Sequence, residues 1–302
     1  MHRAPPAGGS KILQRVRLCG GCNVAKSGFA LALLLSFVVF LSAVVATARA
    51  EAASTEAVPN HPFLNDRFIF ELGGFYSKNN TNASLSPPAG GAGVIVNFED
   101  TLGLDSENFV PIAGFQWRFA ERWRLEAGYF KVDRSATRTL ATDVTWGDKV
   151  FPVGSTVSSS YDMYDVRTSV GYSFFRRPDK ELGVGVGLHT MGIKTSLEAA
   201  GIGSESSTVT APLPVLNLYG TFALTNEWAM RVRMDWLSLS YDQYSGDIRS
   251  TLVDVIYQPF RNVGFGLGMR NLIVDLDVDA TNWQGKARTS FSGPNAFITV
   301  SF

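Results

Sequence analysis

Thiols and histidines are scarce: 302 residues contain two cysteines, Cys19 and Cys22, and three histidines. Both cysteines precede Ala50, in a segment that reads as removable, so their Cys-x-x-Cys spacing makes no redox or zinc site in the remainder. After Ala50 no apolar run reaches the length of a membrane-crossing helix. A membrane protein made from that part has to cross as strands, the other arrangement that satisfies its own backbone without water. A basic surplus is missing too. The six Lys and Arg residues up to position 50 have no acidic counterpart there, and without them 21 Lys plus Arg face 27 Asp plus Glu. That net charge of −6 disfavours a nucleic-acid partner.

What is present begins with the three parts of a secretory signal. A basic region holds Arg3, Lys11, Arg15, Arg17 and Lys26, an apolar run covers 29–45, and Ala48 and Ala50 flank Arg49 at the positions a signal peptidase reads. Cleavage is expected after Ala50. The basic region is long for such a signal, which leaves a translation start further in open. The alternative, a retained transmembrane anchor, is disfavoured by the polar residues that follow. The expected organisation is a signal peptide at 1–50, a flexible periplasmic leader at 51–65 and one barrel domain at 66–302.

The dominant pattern is alternation with a period of two, which sends successive side chains to opposite faces of a strand. Phe68, Phe70, Leu72 and Tyr76 share a face with Gly74, while Glu71 and Gly73 take the other. Ala113, Phe115, Trp117 and Phe119 alternate with Gly114, Gln116 and Arg118; Trp123, Leu125, Ala127 and Tyr129 alternate with Arg122, Arg124, Glu126 and Gly128. The same pattern returns at 166–174, 182–188, 216–224, 228–236, 253–257 and 263–269. The second face decides the environment. A soluble β-sandwich leaves a wet outer face rich in Lys, Glu and Thr. Here that face carries glycine ladders (Gly183, Gly185, Gly187; Gly264, Gly266, Gly268) and charges (Arg231, Arg233, Asp235). Small residues and paired charges suit the narrow interior of a closed barrel whose large apolar residues face lipid.

Short connections rich in Pro, Asn and Asp lie at 120–122, 176–180, 225–227 and 258–262, and longer Ser/Gly/Thr-rich ones near 79–92, 136–158, 198–208, 241–247 and 280–287. Barrels of the outer membrane keep short turns in the periplasm and long loops outside. Aromatic residues cluster beside the short turns: Trp117, Phe119, Trp123, Tyr172, Phe174, Phe222, Trp228, Tyr257 and Phe302 are expected as a lower interfacial girdle. Tyr76, Tyr129, Tyr164, Trp236 and Tyr241 are expected as an upper one. Counting back from Phe302 through the short turns requires ten strands for an even number, with eight and twelve as alternatives. The segment 93–107 is ambiguous: it extends a strand, forms a loop hairpin, or folds inward as a partial plug.

The last strand, with apolar side chains at Ala296, Ile298, Val300 and Phe302, resembles the terminal signal read by the barrel-assembly machinery in Gram-negative outer-membrane proteins. Signal, alternating strands, girdles and terminal Phe together resemble the small barrels of the outer membrane protein A and outer membrane protein W groups. That resemblance implies an all-β fold, a single transmembrane antiparallel up-and-down β-barrel in the cell outer membrane. The partners it implies are membrane lipid and lipopolysaccharide, with the assembly machinery during biogenesis. It carries over no functional residue.

Candidate chemistry is thin. His61 falls in the leader, where a solvated linker role is expected. His189 follows a glycine ladder and points into the lumen without a His-x-Ser arrangement, so a lipid-modifying enzyme using it is the alternative and a non-enzymatic barrel the expectation. Asp275, Asp277 and Asp279 lie about 6.6–7 Å apart along an extended strand, too far to converge on calcium. As an EF-hand the run fails at Ala280 and Lys286. No cofactor or metal is expected. The most distinctive set is the inward charges Arg118, Arg122, Arg124, Glu126, Asp165, Arg167, Arg231, Arg233, Asp235 and Arg270. They read as a salt-bridge network plugging the lumen or, because Arg outnumbers acid in the set, as an anion-biased constriction for a small solute. A soluble exported lipocalin-like barrel is the third reading.

Overall fold

A computed structural model describes residues 58–85, 94–241, 244–280 and 283–302, with all side chains there except those at 239–241, 244, 278–280, 283 and 284. The expected signal peptide, and the leader as far as residue 57, lie outside the described residues. The described part forms one helical turn, α1 (Pro62–Asn65), and the strands β1 (Phe68–Leu85), β2 (Val96–Asn97), β3 (Glu107–Ala120), β4 (Trp123–Thr139), β5 (Val144–Trp146), β6 (Lys149–Phe151), β7 (Thr156–Arg176), β8 (Lys180–Ala199), β9 (Gly203–Ala223), β10 (Trp228–Tyr241), β11 (Tyr244–Tyr257), β12 (Val263–Ala280) and β13 (Trp283–Ser301). No described helix is long and apolar enough to cross a membrane.

Ten strands, β1, β3, β4 and β7 to β13, pair antiparallel in chain order, and β1 closes on β13 from Ile69 opposite Ser301 to Leu85 opposite Gly285. Closure gives both terminal strands a partner, so neither is left as a sheet edge. The two-residue β2 adds to β1, and β5 and β6 form a separate hairpin whose turn uses Gly147 at positive φ.

Strand length corrects the sequence reading. Three stretches expected as long loops, 198–208, 241–247 and 280–287, are mostly strand: β8 turns into β9 within 200–202, where Gly201 takes a φ of 78°. With 21 residues, β7 spans roughly 70 Å at about 3.3 Å per residue, while the apolar band of such barrels is only about 25 Å tall. Even allowing for tilt, the walls project well past the lipid.

The projecting half reverses the hydrophobic pattern without changing the alternation. Along β7 the outward positions run Ser158, Ser160, Asp162, Tyr164, Val166, Thr168, Val170, Tyr172, Phe174, polar first and apolar last. The inward ones run Val157, Ser159, Tyr161, Met163, Asp165, Arg167, Ser169, Gly171, Ser173, apolar first and then charged and small. Tyr164 marks the crossover. Above it water wets the outside and the inside packs as a core; below it lipid covers the outside and the polar groups turn inward.

Residues 94–106 resolve the ambiguous segment. β2 lies against β1, and the following turn folds inward, burying Phe98, Leu102 and Leu104. One seam stays incomplete: β9–β10 pairing stops at Leu216 opposite Trp236, although β9 runs on to Gly203. Pro212 and Pro214, which lack a donor N–H, sit in this upper part of β9, as edge strands tolerate.

Candidate functional site

The interior is filled in three layers. At the short-turn end, α1 enters the barrel. Its cap, His61, accepts a 3.1 Å hydrogen bond at Nδ1 from the Phe63 N–H, and Pro62 occupies the first turn, where a missing N–H costs nothing. Phe63 packs with Ile69, Ala229, Ile256 and Phe297. The carbonyl of Leu64 accepts from Arg118 at 3.3 Å and Arg176 at 3.4 Å, while Asp66 pairs with Arg261 at 2.8 Å and accepts from the Ser301 hydroxyl at 2.7 Å. Residues 61–66 are therefore a stopper, against the expectation of a flexible leader and a solvated His61. The short apolar pair Phe63-Leu64 leaves water only by entering the barrel. Burial pushes the His61 imidazole below its ordinary value, and the Glu227 backbone and Asp66 offset part of that push.

The middle layer is ionic. Arg118 grips Glu181 through two hydrogen bonds of 2.9 and 2.7 Å, and Arg124 contacts Glu126 at 2.7 Å while stacking on the Tyr219 ring at 3.3 Å. Arg167 spans Glu126 at 2.9 Å and Asp235 at 2.8 Å; Arg231 spans Glu71 and Asp254, both at 2.5 Å. His189 lies between two carboxylates, with Nδ1 2.9 Å from Asp165 and Nε2 3.6 Å from Asp235. Arg233 reaches Glu126 only at 3.5 Å and Asp235 at 3.8 Å. Arg270 feels Asp254 and Glu71 only at longer range, and its buried Nε has no hydrogen-bond partner among the described residues. The glycine ladders make room for this layer: the Tyr219 ring lies flat over Gly171 and Gly183, where any side chain would collide with it.

Of the ten charges read from sequence, nine point into the lumen and Arg122 does not. A register shift between Arg118 and Ala120 ends the alternation, and Arg122 sits exposed on the turn, donating to the Phe174 carbonyl at 3.3 Å. Three lumen acids are absent from that set: Glu71, Glu181 and Asp254. Each carried a visible signal, since each shares the inward parity of its strand with glycines or charges. With them, six arginines (118, 124, 167, 231, 233, 270) meet six carboxylates (71, 126, 165, 181, 235, 254). The arginine excess on which an anion-biased constriction rested is gone.

The top layer is apolar. Phe75, Phe98, Val110, Val132, Trp146, Phe151, Tyr161, Met163, Leu197, Val274 and Phe291 belong to one buried cluster, joining the walls to the inward segment and the β5–β6 hairpin. Arg134, from β4, anchors that segment by pairing with Glu99 at 2.5 Å. Between this core and the stopper remains a cavity of about 50 Å3 lined by Glu71, Glu126, Arg167, Arg231, Arg233 and Arg270, among others.

Outside, Leu72, Val186 and Leu267 are each more than 60% exposed, and Trp123 is 44% exposed. Rings run in contact around the short-turn rim from Phe302 through Phe68, Trp117, Phe119 and Trp123 to Tyr172, and Trp228 stacks on Tyr257 at 4.6 Å. Phe174 is exposed on the same side, Tyr76, Tyr129, Tyr164 and Trp236 lie exposed higher up, and the Tyr241 side chain is outside the described residues. Ala296, Ile298, Val300 and Phe302 all face outward at the closing seam. Asp275 and Asp277 also face outward, next to Arg288 at 3.4 Å and Lys286 at 2.5 Å, and no metal-binding cluster occurs among the described residues.

The chain matches no protein-family model, and no curated protein matches it. Among solved structures it is similar to the outer membrane protease OmpT of Escherichia coli, with a TM-score of 0.52 and 11% identity over 82% of this chain and 100% of that one. Looser likenesses are the attachment invasion locus protein Ail of Yersinia pestis (TM-score 0.35, 9% identity, 76% of this chain and 99% of that one) and Neisserial surface protein A (0.32, 14%, 78% and 97%). The likeness to OmpT is one of fold alone. Fold and apolar belt together define an outer-membrane β-barrel protein. Within that class, this chain is a ten-stranded barrel with a filled lumen and walls that project past its lipid-facing band.

Proposed function

We propose that this protein is a non-enzymatic, sealed outer-membrane barrel with a structural and surface-binding role exerted by its projecting half. The observation that carries the reading is the filled interior, with a stopper, an ion-pair layer and an apolar core in series. The short turns lie in the periplasm and the projecting walls outside, with outer faces of both charge signs available to surface ligands and lipopolysaccharide. The outward side chains of Ala296, Ile298, Val300 and Phe302 serve recognition by the assembly machinery. Passage of a small solute requires at least one layer to be displaced. Planar-bilayer recording tests this: the reading expects no steady conductance, and stable open channels from the intact chain would overturn it.

The enzyme reading rests on the His189–Asp165 contact. Its weakness is chemical, because a general base needs one ring nitrogen free to take a proton from a nucleophile, and here Nε2 faces Asp235 in a buried layer. Lipid hydrolysis by the purified chain that disappears in His189→Ala would replace the non-enzymatic reading.

A further inference from the structure

The ionic layer leaves donors over. Arg167 and Arg231 each hold two carboxylates at close range, and Arg118 and Arg124 share Glu181 and Glu126. Arg233 approaches only carboxylates already engaged by Arg167, at 3.5 and 3.8 Å, and the buried Nε of Arg270 has no hydrogen-bond partner among the described residues. The Nε atoms of Arg233 and Arg270 and the Nε2 of His189 are all buried without a hydrogen bond, and all three side chains line the same cavity of about 50 Å3. Buried donors require acceptors.

Charge decides what kind of acceptor. Lying between Asp165 and Asp235, His189 satisfies both carboxylates only with both ring nitrogens protonated, as an imidazolium. It joins the six lumen arginines against six carboxylates and leaves one positive charge uncompensated. Water satisfies a donor but leaves that charge in place, and an unpaired buried charge is strongly disfavoured. A monovalent anion removes both deficits at once. The space suits an ion of a few atoms at most, which rules against lipid headgroups and nucleotides, and a divalent anion overcompensates.

We propose that the lumen cavity lined by Arg233 and Arg270 binds one small monovalent inorganic anion, of halide size. The site lies inside the barrel, within the ionic layer, so the anion is taken up as the barrel folds. Its role is to complete the ionic layer.

The probe is bromide, supplied during refolding of the full chain in detergent with gluconate as the bulky reference anion. Anomalous diffraction from the bromide-refolded protein is expected to give a peak in the cavity that Arg233 and Arg270 line. The thermal midpoint is expected to rise with the logarithm of chloride or bromide concentration, as for a ligand that binds only the folded state, and to lag in gluconate at equal ionic strength. Arg270→Met should give the same midpoint in chloride and gluconate, whereas Arg288→Met, on the outer face, should keep the wild-type difference. If Arg270→Met fails to fold, the wild-type peak and anion dependence still decide. Water density alone at that position, or an anion dependence that survives in a folded Arg270→Met, overturns the proposal.

Discussion

Replacing Arg231 by Met tests whether the ionic layer is a dry, shared network or a set of solvated pairs. The guanidinium donates to Glu71 at 2.5 and 3.2 Å and to Asp254 at 2.5 and 2.9 Å, and it lies 5.2 Å from the Phe63 ring and 5.4 Å from that of Phe297. Methionine keeps much of the stem but strands two carboxylates. Asn295 still donates to Asp254 at 2.9 Å, so Glu71 is the worse stranded. Removing one partner of a buried pair costs about 3–5 kcal/mol, and each lost ring contact adds about 0.5–1 kcal/mol. Offset by the remaining Asn295 bond, the expected loss is ~4 kcal/mol, about a thousandfold in the folding equilibrium. Denaturant titration in detergent micelles, followed by tryptophan fluorescence, reads it directly. Because Arg231 also touches the stopper, proteolysis within residues 58–66 should accelerate in the same variant. A loss below about 1 kcal/mol, the range of exposed pairs, would refute a dry network, and an unchanged Arg288→Met serves as the control.

The lipid belt predicts a position-dependent cost: Leu267→Arg should destabilise by about 2–4 kcal/mol in bilayers, whereas Ser160→Arg, on the outer face of the projecting half, should stay within about 0.5 kcal/mol; equal costs at both sites would sink the assignment of the belt. Phe63→Ala should cost about 3–5 kcal/mol by emptying the stopper, measured by the same titration, and an unchanged midpoint would mean the stopper contributes nothing to stability. His61 gives a pH dependence of definite sign. Its folded pKa lies below the unfolded value of about 6.5, so its contribution is fully present above that value and is lost as pH falls through it toward the folded pKa. His61→Gln should flatten stability against pH in that window, and an identical slope in the variant would refute the assignment. Gly183→Val should destabilise by at least about 1–3 kcal/mol through collision with Tyr219, an effect that Tyr219→Ala should relieve.

Legibility from sequence followed locality. Within the lipid-crossing part of each strand the side-chain parity is a local property, so the outward residues at 166–174 or 263–269 and the inward glycines were readable with no partner in view. The ten-strand count also followed from short turns counted along the chain. The parts that misled are those where the solvent outside changes. Polarity on the outer face of 198–208 signals loop only if that face is assumed to meet lipid; in water the same residues continue a strand. Arg122 went wrong for a smaller reason, a bulge that shifts the phase of one turn.

From the sequence alone came the alternation, the apolar belt, the aromatic rims and the crossing by strands, because each depends on neighbours two residues apart or on the solvent a single strand meets. The closing seam and the charge pairs came only with tertiary structure. Arg231 and Glu71 are separated by 160 residues and meet only because β1 and β10 face one another across the lumen. The matching of six lumen arginines to six carboxylates, the burial of His61 and the apolar core above Tyr164 likewise depend on which inward side chains the ring brings opposite each other. That is a property of closure, and no single strand carries it.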